Sequence, residues 1–339
     1  MQALTFQYPA AEGRVSVVIP TRNGDKYIGA ALDSVAAQAH GDWEVIVIED
    51  GSQGETQSIV QRFASRCPGR RVCYSRNEQS LGAAATRNLA FELAKGEYVA
   101  FLDCDDLWLP THLRACVGAL RDSGDDVAYS AAAMFEDGSD QMIGFWGPSR
   151  EEVLRFPHSL LGRNFVTPSA TVLRRSVLAE AGRWNTTFRY CEDAEFFFRV
   201  AKLGKRFRCV GGVHCLYRKQ HDGATTQRIA GTTEEFATLT SWNLDMPGGA
   251  PGEAARLSAR AHAVSAKLHA KNHPTADPSA NRSRAAPLFF AAWRLRPLQI
   301  DYLFQTLRHA ATKGWTASER LPLPHGQQTL PAAAPRAAA

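Results

Sequence analysis

The alternation of short apolar runs with helical patterns in the first third of the chain constrains the fold more than any other feature. Four short, mostly apolar runs have the character of buried strands, at 15–19, 44–48, 71–74 and 98–102. The segments between them have the character of helices, at 25–38, 55–65 and 82–95. This order predicts a parallel sheet with helices on both faces, in the α/β class.

Polar clusters stand where three of the predicted strands end. They are Pro20-Thr21-Arg22-Asn23, Glu49-Asp50-Gly51-Ser52 and Asp103-Cys104-Asp105-Asp106. In sheets of this kind, ligands bind beyond the carboxyl ends of the strands. We therefore expect the three clusters to line one crevice.

The third cluster carries carboxylates at Asp103, Asp105 and Asp106, which repel one another. A hard divalent cation would relieve that repulsion. Alternation along an extended chain places Asp103 and Asp105 on the same side, so that one suits a ribose and the other a metal ion. The alternative is a solvated turn or a helix cap ahead of Pro110, which needs no ligand.

Two further groups near the predicted sheet suit a nucleotide. A carboxylate of Glu49-Asp50 is placed to accept the imide N–H of a uracil or an amine of another base. Taken alone, the stretch 50–52 is better explained by simple turn chemistry. On the helix at 82–95, Arg87 suits a diphosphate or a site carboxylate, and the alternative is an exposed helical arginine.

Charged residues further along the chain suit a transfer reaction. Glu192-Asp193 precedes a predicted helix at 194–203, where acids interact favourably with the helix dipole, so capping is the default explanation. In the functional interpretation, Asp193 is a general base for an acceptor hydroxyl and Glu192 orients the acceptor or Asp193. Arg218 or Lys219 would neutralise a leaving diphosphate. His221 would be an extra metal ligand or a phosphate donor, although a lone surface histidine is more often neither.

Composition narrows the partners and the compartment. The formal net charge is +5 over 339 residues, and no interleaved basic and aromatic run is present, so nucleic acid is not expected as a ligand. Seven cysteines without Cys-x-x-Cys spacing predict free thiols rather than disulfides or a zinc site. No apolar signal segment and no run of about 18 apolar residues occurs, so a cytoplasmic location is expected.

The rest of the chain predicts two further regions. Weaker strand patterns near 127–132, 169–173 and 206–210 complete a predicted catalytic domain at 1–228. Gly, Pro and Ala become frequent after it, which predicts a helical extension at 229–320 and a disordered tail at 321–339.

Arginines interleave with apolar residues in the predicted extension. They are Arg282, Arg284, Arg294, Arg296 and Arg308, with Leu288, Phe289, Phe290, Trp293 and Leu295. This mix suits peripheral contact with an anionic membrane surface, at the inner face of the membrane. The alternative is a helical appendage that packs on the catalytic domain and keeps its arginines in water.

Taken in order, these motifs resemble the inverting glycosyltransferase family 2 over about residues 14–225. The matching stretches are Val17-Val18-Ile19-Pro20-Thr21-Arg22-Asn23, Val47-Ile48-Glu49-Asp50-Gly51-Ser52, Asn77, Leu81-Gly82, Ala85-Thr86-Arg87-Asn88, Phe101-Leu102-Asp103-Cys104-Asp105-Asp106, Gly182-Arg183-Trp184, Glu192-Asp193, Arg199, Tyr217-Arg218 and His221. The resemblance implies the GT-A fold, with a mostly parallel Rossmann-like sheet. It also implies a nucleotide-sugar donor, often uridine-linked, and Mg²⁺ or Mn²⁺.

The resemblance also implies roles for single residues. Thr21 and Asp50 would lie near the nucleoside, Asp103 would contact the ribose, Asp105 would bind the metal ion and Asp193 would be the base. The predicted donor-binding set is Pro20, Thr21, Arg22, Asn23, Glu49, Asp50, Arg87, Asp103 and Arg218. The predicted metal ligands are Asp105, Asp103 and His221, and the predicted catalytic residues are Asp193 and Glu192. The acceptor would be a hydroxyl on a glycan, a lipid-linked glycan or another metabolite.

Two other classes of protein stay open on the sequence alone. A nucleotidyltransferase would use a similar metal-bound nucleotide crevice, although the stretch 20–24 is a poor triphosphate loop. A degenerate binding or scaffold protein is the second, and the full set of acids argues against it. The oligomeric state has no indicator in the sequence.

Overall fold

The computed structural model describes residues 9–139, 141–219 and 229–272, together with Phe6 and single positions between 285 and 296. The strands of this part of the chain are β1 (Ala11–Thr21), β2 (Trp43–Glu49), β3 (Val72–Arg76), β4 (Gly96–Phe101), β5 (Leu107–Trp108), β6 (Val127–Glu136), β7 (Met142–Trp146), β8 (Thr171–Arg174) and β9 (Phe207–Lys219). The helices are α1 (Ile28–Ala36), α2 (Thr56–Arg66), α3 (Ala83–Leu93), α4 (His112–Ser123), α5 (Arg150–Leu154), α6 (Arg175–Ala181), α7 (Glu192–Lys202), α8 (Ile229–Trp242) and α9 (Glu253–Asn272).

The first half of the sheet is parallel, as predicted. β3, β2, β1 and β4 lie side by side in that order with parallel hydrogen bonding. Every residue of β2 is buried, because helices cover both faces of the sheet. Thr21 is paired with Glu49, and Val18 with Phe101, so β1, β2 and β4 end at the same edge.

Beyond β4 the sheet becomes mixed. β8 is antiparallel to both β4 and β6, β9 is parallel to β6, and β5 and β7 pair antiparallel with β9 and β6. The α/β class is confirmed, but the parallel arrangement predicted from the first four strands ends at β4. The strands predicted in the second half correspond to β6, β8 and β9. β6 and β9 are longer than predicted because they pair with each other along most of their length.

Successive residues of the central strands contribute to two separate cores. Val17, Val45 and Ala100 pack with residues of α1, α2 and α4 on one face. Val18, Ile46 and Val99 pack with residues of α3, α6 and α7 on the other. The period of two along a strand produces this division. Each fully buried apolar side chain contributes roughly 1.5–3 kcal/mol to the stability of the fold. The strand ends that carry the polar clusters therefore belong to a well-packed sheet.

The helices α8 and α9 belong to the predicted extension and pack on one of these cores. Leu239 and Ala254 lie in the same buried cluster as Phe197 of α7. The ring of Trp242 packs edge-on against Phe188, with 5.4 Å between the ring centroids. The extension is therefore helical as far as Asn272, and the predicted tail at 321–339 lies outside the described residues. The domain boundary at residue 228 stays a prediction.

Part of the segment that was predicted to contact a membrane packs against α9. Leu288 is buried against Ala259 and Ala263 of α9, and Leu295 packs on the same cluster. These contacts favour the alternative of a packed appendage. Phe289, Trp293, Arg282, Arg284 and Arg308 lie outside the residues whose side chains are described. In the described part of the chain, no helix has both the length and the apolar content needed to span a bilayer.

Candidate active site

The three polar clusters meet at the carboxyl edge of the parallel strands. The backbone N–H of Asp50 donates to the carbonyl of Thr21 at 2.7 Å, and the N–H of Asn23 donates to the Ser52 hydroxyl at 3.0 Å. A Cβ atom at Gly24 would lie 2.9 Å from Sγ of Cys104, so the third cluster packs against the first. The structure therefore brings together the crevice expected from the sequence.

The first cluster has both buried and exposed members. Thr21 is buried and Pro20 half-buried, whereas Arg22 and Asn23 are exposed. Asn23 has a φ of 52°, in the left-handed region that asparagine tolerates better than most residues. The turn at Asn23 leads the chain from β1 towards Ser52. Of the four predicted donor-binding residues, only Arg22 and Asn23 therefore present their side chains to solvent.

Glu49 is bonded within the protein through both carboxylate oxygens. One oxygen accepts a hydrogen bond from the Ser52 hydroxyl at 2.8 Å, and the other accepts one from the Tyr74 hydroxyl. The side chain is buried. In this structure Glu49 holds β3 and the turn after β2, and its predicted contact with the donor stays a prediction.

Asp50 holds the loop at 77–82. Its carboxylate accepts from the Asn77 amide, the Ser80 hydroxyl and the backbone N–H groups of Leu81 and Gly82, at 2.7 to 2.9 Å. Burial alone would raise the pKa of Asp50, but these hydrogen bonds outweigh burial and lower it. A carboxylate has about four acceptor positions, so the loop engages all of them. A nucleobase contact, as predicted for Asp50, would have to displace one of these donors.

Arg87 connects Asp103 of the third cluster to Glu192 at the start of α7. Nη2 donates to Asp103 at 2.6 Å and Nη1 donates to Glu192 at 3.1 Å, while the guanidinium lies 4.6 Å from the ring centroid of Trp184. Burial alone would lower the pKa of Arg87, but the charges of Asp103 and Glu192 raise it. The predicted pairing with a site carboxylate is therefore present, with two partners. The predicted diphosphate contact is disfavoured because the arginine is buried beneath them.

The acids of the third cluster differ in their surroundings. Asp106 is buried, and burial together with the charges of Asp105 and Asp103 raises its pKa well above the usual value. Its Oδ1 accepts from the backbone N–H of Arg218 at 3.0 Å. The side chain of Asp103 remains 32% exposed while it bonds Arg87. Asp106 is therefore held inside the protein, whereas Asp103 remains partly accessible from the crevice.

Asp103 and Asp105 offer the hard oxygen donors that Mg²⁺ or Mn²⁺ prefers. Among the described residues, no group of three or more His, Cys, Asp or Glu side chains is placed to hold a metal ion. Mg²⁺ is commonly bound through one or two protein carboxylates, with substrate phosphates and water completing the shell. The donor set therefore fits a cation that binds together with a diphosphate. His221, the third predicted ligand, lies outside the described residues.

Arg218 is held in the wall of the crevice. Nη1 donates to Asp137 at 2.9 Å, Nε donates to the carbonyl of Asp105 at 2.8 Å, and the guanidinium lies against the rings of Tyr27 and Phe135. Asp137 also accepts from Lys26 and Tyr27, and hydrogen bonds, that of Lys26 foremost, lower its pKa to about 2. Lys26 and Arg218 share the single carboxylate of Asp137, and the predicted role of Arg218 in neutralising the diphosphate stays a prediction.

Asp193 lies at the start of α7 beside Glu192. Its Oδ1 accepts from the backbone N–H of Ala194 at 2.7 Å, and its Oδ2 accepts from the Asn164 amide at 3.1 Å. Burial and the neighbouring charge of Glu192 raise the pKa of Asp193 to about 7. Burial also raises the pKa of Glu192, which Arg87 partly offsets. The two acids are therefore distinct, because Glu192 is paired with a cation and Asp193 with a neutral amide.

Asn164 and Asp137 were missed by the sequence analysis. Asn164 lies in an irregular segment and reaches Asp193 across 29 residues, which no local pattern reveals. Asp137 precedes Gly138 after β6, and Asp-Gly is typical of a turn, so its sequence context indicates nothing more.

A family model and several relatives match the chain. The model described as glycosyl transferase family 2 matches residues 16–182, which include the three polar clusters and end before Glu192. The amylovoran biosynthesis glycosyltransferase AmsB of Erwinia amylovora is 30% identical over 57% of this chain and 65% of its own length. WfgD of Escherichia coli, a UDP-Glc:alpha-D-GlcNAc-diphosphoundecaprenol beta-1,3-glucosyltransferase, is 36% identical over 29% of this chain and 38% of its own length.

Solved structures share the fold over most of the chain. TarS 1-349 of S. aureus in complex with UDP-GlcNAc has a TM-score of 0.65 and 18% identity, covering 87% of this chain and 89% of that one. The mannosyltransferase PcManGT of Pyrobaculum calidifontis, in complex with GDP-Man and Mn²⁺, has a TM-score of 0.55 and 21% identity, covering 91% and 88%. At these identities the likeness establishes the fold and not the substrate.

Proposed function

The chain belongs to glycosyl transferase family 2, and on this premise we propose that it is an inverting enzyme that moves a sugar from a nucleoside diphosphate to an acceptor hydroxyl. The observation that carries the proposal is the chain of charges Asp103–Arg87–Glu192. It joins the predicted donor cluster to the helix end that carries Asp193. Sugar transfer follows from family membership, whereas the inversion, the donor and the acceptor are what we propose.

The proposed donor is a uridine-linked sugar. TarS was solved with UDP-GlcNAc, and the name of WfgD specifies UDP-glucose. In this chain the nucleoside would lie by Thr21 and the 77–82 loop that Asp50 holds. The exposed part of the Asp103 carboxylate is available to a ribose hydroxyl while the residue keeps its bond to Arg87.

A divalent cation, Mg²⁺ or Mn²⁺, would be held by Asp105 and Asp103 together with the donor diphosphate. PcManGT was solved with Mn²⁺, and the oxygen donors of this chain suit either ion. When bound, such a cation stabilises the negative charge that develops on the leaving phosphate. Asp103 and Asp105 therefore have a binding role, and neither is assigned a proton transfer.

In the proposed reaction, Asp193 takes the proton of the acceptor hydroxyl as that oxygen bonds to the anomeric carbon. The bond from this carbon to the diphosphate oxygen breaks on the opposite face, and the nucleoside diphosphate leaves with the electron pair. The anomeric configuration therefore inverts. A base functions best when its pKa lies near the working pH, and the pKa of Asp193 is raised to about 7. Glu192, bonded to Arg87, would orient the acceptor or Asp193.

The proposed acceptor is a glycan or lipid-linked glycan of cell-surface polysaccharide synthesis. AmsB and WfgD carry names from this kind of pathway, and the name of WfgD specifies a diphosphoundecaprenol-linked sugar. All seven cysteines of the chain are free, which suits the cytoplasmic location that we expect. Because the chain belongs to glycosyl transferase family 2, the nucleotidyltransferase alternative is no longer supported.

Asp193→Asn tests the proposed function. The variant keeps the shape of the side chain but cannot act as a base, so transfer from UDP-sugars should fall by about 10²–10⁴-fold. UDP binding should stay unchanged, as measured by the shift in melting temperature that UDP causes. Asp245→Asn is the matched control, because Asp245 pairs with Lys202 at the far end of α7. Normal transfer by Asp193→Asn would show that the base is another residue.

A further inference from the structure

Glu235 of α8 joins the helical extension to the segment that leads into the predicted base. Its carboxylate accepts hydrogen bonds from the backbone N–H groups of Arg189, Tyr190 and Cys191 at 2.7 to 3.1 Å. We propose that Glu235 is a positioning residue, which fixes the backbone at 189–191 and thereby places Asp193. The inference rests on the proposed function, because Glu235 would act through the predicted base.

Helix α7 lacks a capping side chain at its N-cap position. Cys191 is the N-cap residue, and its side chain makes no capping hydrogen bond. N–H groups at the start of a helix need acceptors, which a local Ser, Thr, Asp or Asn usually provides. Here the acceptor for Cys191 is a carboxylate 44 residues away in the chain. A negative charge at this end also interacts favourably with the helix dipole.

The backbone that Glu235 holds continues directly into the site. Asp193 is bonded to the first turn of α7 through the N–H of Ala194, so its position follows the position of that turn. A shift of about 1 Å at a reacting group costs on the order of 10²-fold in rate. The predicted donor cluster lies on the ends of β1, β2 and β4, in another part of the crevice. Loosening 189–191 should therefore slow turnover and spare donor binding.

A second contact places α8 against the same segment. The Cys191 thiol donates to the Thr232 carbonyl at 3.3 Å. A Cβ atom at Gly231 would lie 2.5 Å from the ring of Tyr190, so no space separates α8 from the segment. Gly231→Ala would thus push the Tyr190 ring away from α8 and disturb this contact without altering the Glu235 carboxylate. The two substitutions test the same contact independently.

The experiment measures steady-state kinetics of the full-length chain with a UDP-sugar donor. Glu235→Ala should lower kcat by about 10- to 100-fold and change the KM for the donor by less than about twofold. Glu235→Gln keeps one acceptor oxygen and should recover part of kcat. Gly231→Ala should lower kcat in the same direction.

The pH profile gives a readout that a purely structural role would not move. The charged and titratable groups that interact with Asp193 are Glu192, Arg87, Asp103, Cys191 and Tyr217, and the substitutions leave all of them in place. Glu235→Ala and Glu235→Gln both remove the negative charge of Glu235 near Cys191, so the effect of loosening is the shift in Glu235→Ala beyond that in Glu235→Gln. A loosened segment admits water to Asp193, and solvation favours the charged form of a carboxyl group. The acidic limb of the kcat profile should therefore move to lower pH in Glu235→Ala.

Glu253→Ala is the matched control. Glu253 anchors α9 through Arg155 and the backbone N–H of Ala250, so its loss also weakens the extension. This variant should melt at a lower temperature with kcat and the acidic limb unchanged. If Glu235→Ala behaves in the same way, Glu235 is a structural residue and the inference is wrong. Asp193→Asn separates failure of this inference from failure of the proposed function, because normal transfer by that variant would show that Asp193 is not the base.

Discussion

At the scale of single residues, the sequence indicates which acids belong to the site but not the atoms that they bind. Asp103 and Asp193 stand out because acids follow a predicted strand or precede a predicted helix. The bond from Arg87 to Glu192 spans 105 residues and has no local indicator. Glu49 and Asp50 form one motif in the sequence. They have different partners, Tyr74 for Glu49 and the 77–82 loop for Asp50, because successive side chains at a strand end project to opposite sides.

The raised pKa of Asp193 predicts how the rate depends on pH. Only the ionised carboxylate accepts a proton, and burial together with Glu192 holds the protonated form up to about pH 7. The turnover rate should therefore fall about tenfold per pH unit below that value. Rates measured with a UDP-sugar donor between pH 5 and 9 check this, and Asp193→Asn should remove the limb from any residual activity. A rate that stays flat from pH 5 to 8 would contradict the assignment.

The same carboxyl should make stability depend on pH in a definite direction. The folded-state pKa lies above the ordinary value of 3.8 for an aspartate, so the folded protein holds a proton that the unfolded chain releases. Ionisation of Asp193 therefore lowers the free energy of unfolding as pH rises from about 4 to about 7. Asp193→Asn should raise the melting temperature at pH 8 and leave it nearly unchanged at pH 4. An equal rise in melting temperature at pH 4 and at pH 8 would point to another cause.

At the scale of elements, local patterns predicted β1 to β4 and α1 to α3 because each apolar run or helical stripe lies within one element. β8 lies antiparallel between β4 and β6, and this placement depends on contacts between distant parts of the chain. The helix α4 was not predicted, although its buried residues His112, Leu113, Cys116, Val117 and Leu120 have helical spacing. β5 has two residues, too few for any pattern.

The loop at 77–82 should depend on Asp50 for its order. Asp50→Asn replaces one carboxylate oxygen with an N–H₂ group, which cannot accept from the backbone donors at Leu81 or Gly82. Leu81 and Gly82 are exposed, so water can bind the freed donor, and loss of the hydrogen bond should lower the free energy of unfolding by about 0.5–1.5 kcal/mol. Hydrogen exchange should become faster at Leu81 and Gly82. Asp33→Asn, which breaks an exposed ion pair with Arg66, is the control and should change little.

The effect of Asp50→Asn on nucleotide binding separates two roles for this residue. Because the 77–82 loop borders the predicted nucleoside site, loss of its order should weaken UDP binding and stability together. Weaker UDP binding at unchanged stability and unchanged hydrogen exchange would instead indicate direct contact with the nucleobase.

At the scale of the whole molecule, one sheet supports the predicted donor site at the ends of its parallel strands and the predicted base on a helix of the other half. The crevice exists because β1, β2 and β4 end at the same edge, which their order in the sequence predicts. Asp137, which follows β6, and Arg218 of β9 contribute to the wall of the crevice. This contribution could be found only from the folded structure. The family model likewise covers the first part of the site and stops before α7.

Metal and nucleotide should stabilise the folded molecule jointly. Since no group of three protein ligands occurs among the described residues, Mn²⁺ alone should shift the melting temperature little. UDP with Mn²⁺ should give a shift larger than the sum of the separate shifts, and a ligand at 100 times its Kd adds about 2.7 kcal/mol. Asp105→Asn should reduce the joint shift and spare that of UDP alone. A full shift with Mn²⁺ alone would indicate a complete protein site.

The core that α8 and α9 share with the sheet has a practical consequence for the choice of fragments. A chain shortened before α8 would leave the rings of Phe188 and Phe198 without Trp242 and Phe236. Large apolar surface of this kind promotes association when it is exposed. Such a fragment should be recovered from expression as aggregate, whereas one that ends after Asn272 keeps both helices. Fragments intended for crystallisation should therefore retain α8 and α9, even though the family model ends ninety residues earlier, at 182.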